Sequence, residues 1–297
     1  MNCNMGKYIR TVNLLVLIGV STAVNAQKVS EIQNTSKLAP SNIRVDGKDL
    51  EWNDIFLANN KRTDIRYTMT NDQKNLYLVI KSVDMTNNSK IMAGGITLSI
   101  NTEGNKKEKE SIKLTYPLIN MAKLRSSMGG GNGRRMGAMM MGMGGGMRLG
   151  QMDVKQRDST MAAMQKTQLA GVKEISISGF KTTTDTLISI YNEYGIKAVA
   201  NIDKDNAFFY ELAIPLEALG LTAGSQKEFA YNIKLNGLQM PGLDGGFGGG
   251  GGGRGPGGGG GPGGGRGPGG GGGGRGGIDF QAMMSPTDFW GKYTLAK

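Results

Sequence analysis

Thirty-seven of the chain's 50 glycines fall in two stretches, 10 of them at 129–150 and 27 at 242–277. Such runs have no side chains to bury and lose the most backbone entropy on ordering, so they cannot build a packed core. They divide the 297 residues into three blocks of ordinary globular composition, about 40–120, 171–240 and 278–297. The last block decides the organisation. Phe289-Trp290-Gly291-Lys292-Tyr293-Thr294-Leu295 reads as a strand, yet it lies beyond the longer glycine tract. A tract that only trailed from the protein would need no strand after it. The tract therefore reads as a loop between the last two strands, tolerable because closure entropy grows only logarithmically with loop length. The expectation is one β-sandwich domain over 40–297, preceded by a linker at 27–39. A Met/Gly-rich insert (121–170) and a Gly-rich loop (241–277) interrupt it, both expected to be disordered where glycine dominates.

Within the blocks, apolar and polar residues alternate with a period of two, rich in β-branched and aromatic types. Ile65-Tyr67-Met69, Leu76-Leu78-Ile80, Ile96-Leu98-Ile100, Phe208-Tyr210-Leu212-Ile214 and Phe229-Tyr231-Ile233-Leu235 are the clearest cases. Turn residues punctuate them at Asp46-Gly47, Asn71-Asp72, Asn87-Asn88, Gly104-Asn105 and Asp203-Lys204-Asp205. The fold class expected is all-β, an antiparallel sandwich. Two segments read as helical: 153–168, which belongs to the insert, and one turn at 216–219 after Pro215.

Composition narrows the chemistry. The chain has no histidine, which excludes Ser-His-Asp and Cys-His relays and imidazole-built zinc sites. Its one cysteine, Cys3, precedes an apolar run at 12–24 that follows Lys7 and Arg10 and ends in Val24-Asn25-Ala26. That pattern reads as an export signal over 1–26, too short to span a bilayer, and implies a periplasmic or secreted protein with no transmembrane segment after cleavage. The net charge of +11 sits largely on the signal and the inserts, with eight basic and two acidic side chains at 121–170. Arg254, Arg266 and Arg275 are widely spaced and lack interleaved aromatics, so nucleic acid is not an expected partner.

Three stretches carry a resemblance. They are Ile43-Arg44-Val45-Asp46-Gly47 through Glu51-Trp52, with Asn71-Asp72 and Leu76-Tyr77-Leu78 following; Tyr210-Glu211-Leu212-Ala213-Ile214-Pro215; and the closing strand Phe289 to Leu295. Together they resemble the family 9 carbohydrate-binding modules and their DOMON-like β-sandwich relatives. The resemblance implies a non-catalytic sandwich that binds a saccharide or an envelope glycan. Those modules enclose sugar between two tryptophans. Here Trp52, after a turn and before Ile55-Phe56-Leu57, reads as core, so no such pair remains. Haem, bound by some DOMON-like relatives, would lack a histidine ligand.

A sugar site needs an aromatic face for the apolar side of a pyranose, ringed by Asp, Asn, Lys or Arg for its hydroxyls. Trp290 and Tyr293 are the candidate ligand-binding residues; no catalytic residue, metal ligand or cofactor is expected. Residue chemistry offers other readings. Asp46, Asp49, Glu51 and Asp54 could hold calcium or simply form turns, and they lack EF-hand spacing. Glu51 and Glu211 are the carboxylates nearest recognisable motifs, without an evident cleft for glycoside hydrolysis. The alternative function is soft-metal, Cu(I), binding or an interaction role through the loops, since Met136, Met139, Met140, Met141, Met143 and Met147 cluster in the insert.

Overall fold

The structure, a computed structural model, describes residues 29–119, 153–238 and 280–297. The export-signal reading at 1–26, the methionine cluster and the arginines of the Gly-rich loop lie outside the described residues. Eleven strands form two antiparallel sheets. In chain order they are β1 (Ala58–Asn60), β2 (Ile65–Asn71), β3 (Asn75–Ser82), β4 (Ile96–Asn101) and β5 (Ile112–Tyr116). After them come β6 (Glu174–Ser178), β7 (Leu187–Ser189), β8 (Lys197–Ile202), β9 (Phe208–Pro215), β10 (Phe229–Leu235) and β11 (Thr287–Tyr293). One sheet has the order β1-β2-β3-β9-β8 and the other β11-β10-β4-β5-β6-β7. The protein is a β-sandwich.

Alternation explains the core. Tyr67, Leu78, Tyr210 and Ala198 from the first sheet meet Leu98, Leu114, Tyr231 and Phe289 from the second in one cluster of buried side chains. The Tyr67 and Tyr231 hydroxyls lie 2.9 Å apart across the sheets, and the Gln33 backbone N–H donates to the Tyr67 oxygen at 2.9 Å. Gly291 stands opposite Tyr231, and a Cβ there would run into the tyrosine ring. The closing strand thus pairs with β10 along its whole length, from Phe229↔Tyr293 to Leu235↔Thr287. The glycine tract lies in sequence between these two antiparallel neighbours, and Leu238 N–H donates to the Met283 carbonyl near its ends.

Three α-helices, α1 (Met85–Gly94), α2 (Val154–Ala170) and α3 (Phe280–Met284), and two 3-10 turns, Glu108–Glu110 and Glu217–Leu219, complete the described chain, the second being the turn expected after Pro215. The helix expected at 153–168 is α2, capped by the Asp153 side chain, and its Ala162 and Leu169 join the main core. The turn expected at Asn87-Asn88 lies inside α1 instead. Asp84 accepts a hydrogen bond from the Asn87 N–H and nucleates the helix, whose buried Asn88, Ser89 and Lys90 hide the usual apolar periodicity. Residues 43–45, despite the alternation of Ile43 and Val45, run as irregular chain. From Val29 onward the segment expected as a linker follows the sandwich edge, with Gln33 exchanging two hydrogen bonds with the Met69 backbone. Among the described residues no helix is long and apolar enough to cross a membrane.

Candidate functional site

The two sheets differ on their outer faces. The central strands β3 and β9 are buried on both sides, because residues 39–56 fold back over the first sheet. Trp52, packed with Val79, Phe209 and Ala213, anchors that cover and is 5 % exposed, as a core residue should be. Beneath it lies Glu211. One carboxylate oxygen accepts the Trp52 indole N–H at 2.7 Å, and the other accepts the Gly47 and Asp46 N–H groups at 2.7 and 3.0 Å. Burial pushes the Glu211 carboxyl above its ordinary value against the lowering effect of these donors. The motif around Asp46-Gly47 and Trp52 is thereby tied to the one around Glu211 by three hydrogen bonds. Gly47 meets this geometry with φ +79°, a conformation that favours glycine.

The acidic residues near Trp52 converge on an ammonium. Lys81 lies 2.8 Å from Asp54, 3.6 Å from Asp49 and 3.7 Å from Asp203. Burial works to lower its pKa, but the three carboxylates hold it above the ordinary lysine value. Among the described residues no group of three or more carboxylates, cysteines or histidines is placed to hold a metal ion. A shallow cleft of about 430 Å³ lies between residues 38–43 and the β2–β3 turn. Two of its polar groups bond each other: the Tyr77 hydroxyl, pushed up to about 12 by burial and by Asp72, donates to the Asp72 carboxylate at 2.7 Å.

The outer face of the second sheet is polar. Register places Trp290, Asn232, Ser99, Lys113 and Ser178 in one row across β11, β10, β4, β5 and β6. The adjacent row runs Asp288, Lys234, Thr97, Thr115 and Ser176. Small polar residues of β4 lie between the long side chains of Lys234 on β10 and Lys113 on β5. Trp290 is half-buried there, with Lys292 exposed beyond it. Groups on this face pair locally: the Asn232 amide donates to Asp288 at 2.8 Å, and the Thr97 and Thr115 hydroxyls lie 2.7 Å apart. Ser99 differs, because its hydroxyl is buried and has no hydrogen-bond partner. The 3-10 turn Glu108–Glu110 reaches over this face.

The two sequence candidates do not share a surface. Residues three apart on a strand point to opposite faces, so Tyr293 turns inward where Trp290 turns outward. Tyr293 is 3 % exposed, packs against Phe229 at 5.6 Å between ring centroids, and donates to the Asn71 side-chain oxygen at 3.1 Å. Glu211 is not open to a substrate, since both its oxygens are occupied by protein donors under Trp52. Sequence reasoning missed the lysines and Glu108, whose meeting depends on the register of β4, β5 and β10. Comparison with family models, curated proteins and solved structures returns no match.

Proposed function

We propose that this chain is an exported, non-catalytic saccharide-binding protein whose site is the outer face of the six-stranded sheet around Trp290. One observation carries the reading: a half-buried tryptophan stands on a sheet face whose two central rows are Asn, Asp, Ser, Thr and Lys, with Ala230 and Leu187 as the apolar residues beside them. An indole face covers the apolar side of a pyranose, and the surrounding amide, carboxylate and ammonium groups bond its hydroxyls. The likeness to family 9 modules supports the same class of ligand. So does the export signal read at 1–26, which would deliver the chain to where such glycans lie. Tyr293 has no part in the site.

Affinity electrophoresis of the full chain through gels containing a panel of soluble polysaccharides tests the proposal. Wild type is retarded by at least one, and Trp290→Ala runs as in a gel without polymer while keeping its melting temperature. Equal retardation of the variant contradicts it.

A further inference from the structure

We propose that the ligand is acidic: a uronate-bearing glycan whose carboxylate takes the place that Glu108 now holds between Lys113 and Lys234. This rests on the saccharide reading above and names its substrate class.

The geometry points to an internal stand-in. One Glu108 oxygen lies 3.3 Å from the Lys113 ammonium and 3.7 Å from that of Lys234. These lysines come from β5 and β10, the strands on either side of β4, so the carboxylate sits above β4. Glu108 belongs to a three-residue turn whose N-cap, Lys107, makes no side-chain capping bond, and its side chain is 46 % exposed. The lysine side chains keep 32 % and 30 % exposure, so a second carboxylate reaches them without backbone movement. Charge also leaves room for one. Asp288, opposite Lys234 in register, is shared between Asn232 and Arg62, so among the described residues the ion pairs of Arg62, Lys113 and Lys234 are with Glu108 and Asp288.

The buried Ser99 hydroxyl is the second observation. It stands in register between Asn232 and Lys113, under the span that Glu108 bridges, and has no partner. A buried hydroxyl without a hydrogen bond is costly, and a ligand that displaces Glu108 brings polar atoms to it. Trp290 and Lys113 lie three strands apart, about 14 Å at the usual strand spacing, which suits a short oligosaccharide rather than a single sugar.

The test compares polygalacturonate and alginate with neutral xylan and β-glucan on the full chain, by affinity electrophoresis and calorimetry with short oligomers. Uronates are expected to bind. Lys113→Gln with Lys234→Gln should weaken them about tenfold or more, and Glu108→Gln should tighten them by removing the internal competitor. Trp290→Ala should weaken them too. If the double lysine variant melts early, the Glu108→Gln arm decides, since it changes a half-exposed side chain alone. Uronate binding undiminished in the double variant, or not tightened by Glu108→Gln, is ion exchange by a basic chain and overturns the inference. Neutral glycans bound through Trp290 without dependence on the lysines overturn it while leaving the saccharide reading standing. No binding to any polymer overturns both.

Discussion

Two residues show how much of this fold hangs on single atoms. Glu211 holds residues 46–52 against the first sheet with both oxygens, and Glu211→Gln would aim an amide N–H₂ at N–H donors whichever way it turned. We expect that variant to lose about 2–3 kcal/mol in denaturant unfolding, the cost of leaving buried donors unmatched. Its pH dependence has a definite sign. Because burial raises the folded pKa, the native protein holds that proton more tightly than the unfolded chain. The contribution is therefore full below the unfolded carboxyl range and is lost as pH rises through the raised value. Melting scans from about pH 4 to about pH 8 should show the wild type's advantage over Glu211→Gln widening toward acid. A constant gap would show that the proton affinity is unperturbed. Gly291→Ala is the second case: the new methyl displaces the Tyr231 ring and its contact with Tyr67, for an expected loss of about 1–3 kcal/mol by the same measurement.

Among the elements, β11 is the most informative. It supplies Phe289 and Tyr293 to the main core and Trp290 to the outer face, from the far side of the glycine tract. Ending the chain before Ile278 should abolish a cooperative thermal transition. Shortening the tract between 245 and 275 should change stability by no more than about 1 kcal/mol, since loop length enters only as a logarithm. Strands of this kind are legible in sequence because one face packs and the other does not, which leaves a period of two. Where that contrast fails, reading fails as well. Helix α1 buries Asn88, Ser89 and Lys90 and so shows no apolar stripe, while residues 43–45 spend their Ile43 and Val45 on covering a sheet rather than joining one. Trp290 could be picked out as an aromatic. Its separation from Tyr293 follows from strand parity, but the meeting of Glu108 with Lys113 and Lys234 depends on which strands lie side by side, information no local pattern holds.

For the whole molecule, the asymmetry of the two outer faces is the organising feature. One is apolar and closed by residues 39–56; the other is polar and carries the second tryptophan. The saccharide site proposed above uses the second of these faces. With only two tryptophans in 297 residues, the protein offers two indole N–H signals as built-in reporters. Trp52 is buried and donates to Glu211, so it monitors the fold, whereas Trp290 monitors the face. An ¹⁵N-labelled sample titrated with an oligosaccharide from any polymer that retards the protein reads both at once. With the site on the second face, the Trp290 signal moves saturably while the Trp52 signal stays in place; saturable binding that leaves Trp290 unmoved contradicts that placement.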